Sequence, residues 1–210
     1  MGDEKKPELS AAYGLTSPDD NRALYRDWAE TYENDFAKAM DFALPQTVAA
    51  AFLAAGGLGP VLDVGAGTGL AGVALRAQSD AVVDALDISP EMLAVSARKN
   101  IYRHLVAADI TKPLPLRSGQ YNGVISSGTF THGHLGPEPL DALLAVTASG
   151  ALFVLSIKVE HFESKGFAQA FDALGGRISG LHLDRRPIYG TDAPKDRAGD
   201  TCFIAHFRKS

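Results

Sequence analysis

The chain has 210 residues, 46% hydrophobic and 21% charged, with a formal net charge of −5, which suffices for one domain with a substantial core but not for two full ones. No apolar run approaches the ~18 residues of a membrane span, the opening MGDEKKPE lacks the apolar stretch of a secretion signal, and a single cysteine, Cys202, excludes an intramolecular disulfide and a cysteine-rich metal centre. Without a dense Lys/Arg cluster to meet phosphates, a cytoplasmic protein with neither a nucleic-acid nor a membrane partner is expected.

In chain order, residues 1–16 read as a flexible tail. Ser17 caps a first helix, Pro18 suits its first turn, and Asp19 and Asp20 favour the positive end of its dipole. Leu24, Tyr25, Trp28, Tyr32 and Phe36 recur along it at helical spacing. A second helix covers about 45–55 and ends at Gly56-Gly57. Strands and helices then alternate: strand 61–64, a glycine-rich turn, helix 69–78, strand 81–87, helix 90–99 and strand 103–109. Strand 121–127, helix 137–147, strand 151–159 and helix 164–174 follow. Two strands, 177–188 and 201–208, joined by the polar loop 190–199, close the chain. Apolar strands separated by helices indicate a parallel sheet covered on both faces; the final two, lacking a helix between them, form an antiparallel pair at one edge. In such a sheet a ligand sits at the carboxyl ends of the strands.

The segment Asp63-Val64-Gly65-Ala66-Gly67-Thr68-Gly69 falls at that place. Glycines permit a tight turn and close approach of a ligand to backbone. A dinucleotide fingerprint fails in both of its frames. From Gly65 the third glycine position is Leu70, and from Gly67 the preceding strand would be LDVGA, with an acid and a glycine inside it. Asp63, Asp87 and Asp109 end three consecutive predicted strands, and Ile88, Met92 and Ile110 stand beside them to sandwich a flat purine. An acidic, apolar-walled pocket suits a cationic nucleoside without phosphates. Taken singly, each acid also reads as an ordinary strand-end or capping residue.

At these residues the sequence resembles the class I S-adenosylmethionine-dependent methyltransferases. DVGAGTG is similar to the first motif of that family, LDISPEM to the second-strand motif and AADI to the third. The resemblance implies an α/β three-layer sandwich with a seven-stranded, mostly parallel Rossmann-like sheet whose last strand is antiparallel, under an N-terminal helical lid. It also implies the cofactor S-adenosylmethionine, leaving as S-adenosylhomocysteine. Asp63, Gly65, Ala66, Gly67 and Gly69 would meet the methionine part, Asp87 the ribose, Asp109 with Ile110 the adenine, and Ile88, Met92 and Ser127 the remaining walls. LYRDWAETYEND (24–35) looks like the Y-D-x-W-A-x-x-Y-D segment of small-molecule methyltransferases, with Arg26 and Glu33 replacing its usual acids. Tyr25 and Tyr32 either reach the methionine end or pack on the sheet; Trp28 packs. A single domain over 1–210 is expected, with the tail at 1–16, the lid at 17–56 and the core at 57–210.

After the fourth strand the chain reads SSGTFTHGHLGPEP (126–139), where the acceptor should meet the methyl group. His132 and His134 are candidate general bases near neutral pH, or simply loop-stabilising side chains. As a metal site, H-x-H would need Asp at Gly136 and His at Pro137, so no metal is expected. GTFTHGHLGP resembles the corresponding loop of Williams–Beuren-region methyltransferase-like proteins. No D/N-P-P-aromatic motif and no Pro-Cys nucleophile appear, which disfavours planar amino groups and cytosine C5 as acceptors. DRRPIYG (184–190) reads as a solvated edge strand, or as an acceptor wall favouring an acid. The expected function is methyl transfer to O or N of a small molecule. The rivals are a nicotinamide-dependent oxidoreductase, a non-catalytic S-adenosylmethionine-binding module, and a protein or RNA methyltransferase.

Overall fold

The computed structural model describes Arg26, residues 28–130 and residues 135–210. The expected tail, the helix start at Ser17–Asp20, Leu24, Tyr25, His132 and His134 lie outside the described residues. The strands are β1 (Val61–Val64), β2 (Val83–Asp87), β3 (Leu105–Ala107), β4 (Tyr121–Phe130), β5 (Thr147–Lys158), β6 (Ile178–Pro187) and β7 (Thr201–Lys209). They form one seven-stranded sheet in the order β3-β2-β1-β4-β5-β7-β6. β3 through β5 run parallel, and β7 is antiparallel to both β5 and β6. The order reverses between β1 and β4, which places the crevice for a ligand above that pair.

The helices are α1 (Leu44–Ala54), α2 (Leu70–Arg76), α3 (Pro90–Ala97), α4 (Pro139–Val146), α5 (Val159–Ser164) and α6 (Phe167–Leu174). Side-chain alternation along each strand divides the core in two. Val61, Val83, Ile125, Leu152 and Val154 pack with Leu44, Val48 and Phe52 of α1 and Leu75 of α2. Leu62, Val64, Val124, Phe153 and Leu155 pack with Leu143 of α4 and Phe167 and Phe171 of α6. The three layers follow. Phe52 fixes α1 on the sheet because Gly57 and Gly123 leave room for its ring; a Cβ at Gly123 would stand 2.4 Å from it. α1 is thus part of the sheet's cover, although it falls within the stretch 17–56 expected as a lid.

Several expected elements differ in extent, two of them for reasons visible in the structure. The helix expected over 164–174 starts only at Phe167, as α6, because Gly166 takes a left-handed conformation at φ +74°, which separates it from α5, a helix not expected before it. β3 is shorter than 103–109, because Arg103 turns to Asp84 and Asp109 opens a turn closed by Thr111.

Below the sheet, Asp84 is wholly buried and accepts from Arg103 Nε at 3.0 Å and Nη2 at 2.7 Å, Tyr121 Oη at 2.9 Å and the His104 amide at 3.1 Å. Burial opposes ionisation, but these donors outweigh it and hold the carboxyl below its ordinary value. A depressed carboxyl stabilises the fold above its unfolded pKa of about 3.9 and loses that contribution as pH falls through the folded value. Arg103→Ala is expected to cost about 2 kcal/mol in urea unfolding. Breaking a buried pair costs about 3–5 kcal/mol, and the 40% exposure of the Arg103 side chain together with the remaining donors lowers that figure. An unchanged unfolding midpoint would show the pair to be energetically neutral.

Candidate active site

The turn after β1 builds the floor of the site. Gly65 has φ +65°, and a Cβ there would lie 2.0 Å from Thr129 Oγ1. Thr129 in turn donates to the Val64 carbonyl at 3.0 Å and Ser126 donates to the same oxygen at 2.8 Å. The loop is therefore pinned to the end of β4, and only glycine fits at its first position. Asp87, ending β2, accepts from the Gly67 amide at 2.7 Å and the Ser89 amide at 2.9 Å. Burial raises its carboxyl above the ordinary value, against the lowering effect of the Ser89, Gly67 and Ile88 amides. At Asp109 burial is outweighed by the Thr111 hydroxyl (2.6 Å), the Thr111 amide (2.9 Å) and Lys112, which keep the carboxyl below its ordinary value. Ser89 caps α3 through Met92 N at 3.2 Å, and Met92 is thereby brought to the same wall.

One cavity gathers these residues at the carboxyl ends of the strands. Its wall includes Gly65, Ala66, Gly67, Asp87, Ile88, Met92, Asp109, Ile110 and Ser127, together with Tyr32. Ser127 Oγ is buried there without a hydrogen-bond partner among the described residues, which fits a polar ligand group at this wall. Asp63 and Gly69, expected at the cofactor, do not line the cavity. Alternation turns Asp63 with Val61 toward α2. There, wholly buried, it accepts from the Tyr102 hydroxyl at 2.6 Å. Tyr102 fits under the loop because Gly69 and Gly72 lack side chains; a Cβ at Gly72 would meet its hydroxyl at 2.3 Å.

Burial raises the Asp63 carboxyl to about 7, partly offset by hydrogen bonds from Tyr102 and the Gly72 amide. A carboxyl raised in the folded state disfavours folding once ionised. Its effect is absent below the unfolded pKa of about 4 and grows as pH rises toward 7, on the order of 4 kcal/mol in all. Melting temperatures should therefore fall between about pH 4 and pH 7 and level off above, and Asp63→Asn should flatten that slope, Asp87 leaving a residual. Equal slopes in parent and variant would show that Asp63 does not titrate in this range.

Across the opening runs the segment 28–43. Glu30 pairs with Arg98 at 2.7 Å and Glu33 with Lys99, so one end is tied just beyond α3. The turns at 33–38 are π-helical. At the other end Phe42 forms a bridge with Tyr189, and the Gly190 amide donates to Asp41 O at 2.7 Å. Trp28, Tyr32, Phe36, Phe42 and Tyr189 form a continuous series of ring contacts, with centroids 5.1–6.4 Å apart. All five line the cavity. The DRRPIYG segment divides: Arg185 and Arg186 bond to Thr201 and Asp184 on the edge strand, while Ile188 and Tyr189 reach the cavity. Phe42 carries no sequence signal for this placement, which arises from segments far apart in the chain, whereas Thr129, Ile188 and Tyr189 fall in the two stretches read as candidate acceptor walls. Cys202 is buried packing in β7, its thiol pushed up to about 12 by burial. Among the described residues no helix is long and apolar enough to cross a membrane.

Comparison with known proteins agrees with this geometry. Residues 61–150 match the model of a methyltransferase domain. The human methyltransferase-like protein 27 is 29% identical over 183 residues, covering 83% of this chain and 72% of that protein. The yeast (Saccharomyces cerevisiae) 18S rRNA (guanine(1575)-N(7))-methyltransferase is 38% identical over 66 residues, 31% of this chain and 24% of that protein. Among solved structures, Burkholderia thailandensis 1,6-didemethyltoxoflavin-N1-methyltransferase, with 1,6-didemethyltoxoflavin and S-adenosylhomocysteine bound, shares the fold. Its TM-score is 0.65 at 20% identity, over 93% of this chain and 92% of that one. Over residues 61–150 this chain is accordingly similar to methyltransferase domains, and it is an enzyme whose cofactor is S-adenosylmethionine.

Proposed function

We propose that the enzyme transfers the methyl group to an O or N atom of a small-molecule acceptor. The observation that carries this reading is the division of the cavity wall. Asp87, Asp109 and the Gly65–Gly67 loop stand on one side, and an apolar, largely aromatic surface stands on the other. On the first side Asp87 accepts from the ribose hydroxyls, Asp109 and Ile110 meet the adenine, Ile88 and Met92 pack on its faces, and the loop amides receive the methionine part. Tyr32 and Ser127 complete that side, and Tyr25, outside the described residues, is assigned to it as a further contact. Asp63 and Gly69 act from behind, holding the loop in place through Tyr102. The chain works as a single domain: a core over 57–210 and a lid within 17–56, of which the strap 28–43 covers the cavity. When bound, the cofactor supplies a carbon already activated by sulfur; the protein's part is alignment, exclusion of water and, where needed, removal of a proton.

The Burkholderia enzyme holds a small heterocycle, whereas the yeast relative is named for rRNA. Among the described residues that line this cavity none is basic, which favours the first kind of acceptor over a polyanion. Calorimetry with S-adenosylmethionine, S-adenosylhomocysteine, NAD and NADP should give binding of the first two alone. NAD binding without S-adenosylmethionine binding would overturn the site assignment.

A further inference from the structure

We propose that the acceptor is an uncharged, flat ring compound seated against Phe42 and Tyr189. This inference rests on the reading above, which gives the Asp87 side to the cofactor. Among the described residues the charged side chains on the cavity wall are Asp87 and Asp109, both on that side. The opposite part is lined by Phe36, Phe42, Leu135, Ile188 and Tyr189 beside the end of β4, with no charged group among the described residues. Phe42 lies over that strand end: a Cβ at Gly128 would be 3.3 Å from its Cζ. Both rings are held before any ligand arrives. The Phe42–Tyr189 bridge is reinforced by Ala43 N to Ile188 O at 3.1 Å, Gly190 N to Asp41 O at 2.7 Å and Asp192 N to Asp41 Oδ2 at 3.0 Å. The ring centroids are 6.1 Å apart, with planes at 52°.

A fixed aromatic wall recognises flat rings through offset and edge contacts and loses little conformational freedom in doing so. A carboxylate placed there would give up its hydration with no partner in return among the described residues. A protonated amine is drawn to aromatic faces but has no lone pair with which to take a methyl group. A neutral phenol or ring nitrogen has one. In the transfer its lone pair forms the new bond to carbon, the electron pair of the breaking C–S bond stays on sulfur, and a proton carried by the acceptor passes to a general base or to water.

The test uses the full chain saturated with S-adenosylhomocysteine and three calorimetric probes: 2-naphthol, decahydro-2-naphthol and 2-naphthoate. The expected result is that 2-naphthol binds at least tenfold more tightly than its saturated counterpart and than the carboxylate. Phe42→Leu and Tyr189→Leu, which keep apolar bulk, should each weaken 2-naphthol at least fivefold. Failure of 2-naphthol to bind the saturated protein would overturn the inference, as would equal affinity for decahydro-2-naphthol or insensitivity to both variants. Binding of a guanine-containing RNA oligonucleotide in place of 2-naphthol would overturn it in favour of a nucleic-acid acceptor. The comparison of the three probes on the parent protein decides the matter even where a variant fails to fold. If S-adenosylhomocysteine itself does not bind, the cofactor-site assignment fails first, and the two failures are thereby distinguished.

Discussion

Asp87→Ala should weaken S-adenosylmethionine binding by about 2–4 kcal/mol, since two charge-assisted hydrogen bonds are each worth about 1.5–3 kcal/mol and are not fully additive. The geometry gives this residue two tasks. Its oxygens already accept from the Gly67 and Ser89 amides, which ties the glycine loop to the end of β2. A carboxylate has about four acceptor positions, leaving others for ribose hydroxyls on the cavity side. Removal therefore takes away ligand contacts and frees two amides. Asp87→Asn retains one acceptor oxygen and should fall between parent and Ala. Because burial raises this carboxyl and hydroxyl donors favour its ionised form, affinity should also decline as pH drops through its pKa. Calorimetry on both variants, with melting curves to establish folding, checks the assignment. A folded Asp87→Ala protein with parental affinity would remove Asp87 from the site.

Replacement of both His132 and His134 by alanine should lower turnover by ~10²–10⁴, the usual contribution of a positioned general base, while cofactor affinity changes little. The two histidines lie outside the described residues. The motivation is that Thr129, before their loop, and Leu135, after it, both line the cavity. Gly133 and Gly136 give the intervening chain freedom to present a side chain. A histidine base should also give the pH–rate profile of the parent a limb near pH 6–7 that the double variant lacks. The measurement follows a screen of hydroxy, amino and carboxylic compounds for methyl transfer. A double variant that keeps the parental rate and the parental pH profile would reduce catalysis to alignment and return both histidines to a structural role.

The places of Asp87 and the glycine loop on the cavity wall were legible because their signals are local: a residue type, a strand end and a turn within a few positions. The arrangement opposite them was not. Phe42 meets Tyr189 through an isolated bridge between segments at opposite ends of the chain, and no periodicity within either segment encodes that pairing. Tyr102 was equally silent. Its place under the glycine loop depends on Gly69 and Gly72 having no side chains and on the approach of the turn before β3. Asp63 shows the same limit from the other direction. It stands one residue before the end of β1, whereas Asp87 ends β2, and it faces α2 and Tyr102 while Asp87 faces the cavity. DRRPIYG read as one unit in the sequence, but strand geometry splits it into exposed arginines and a buried Ile188-Tyr189 pair.

The sequence by itself determined the alternation of strands and helices, the seven strands and the glycine turn at the end of β1, because side-chain period and turn chemistry act over a few residues. The tertiary structure alone decided which acids open on the cavity and which are buried behind it. It also closed an aromatic wall from segments remote in the chain and kept the arginines of β6 out of the site. These outcomes follow from strand register and from the packing of one face against a particular helix, where a shift of one residue exchanges the two faces of a strand.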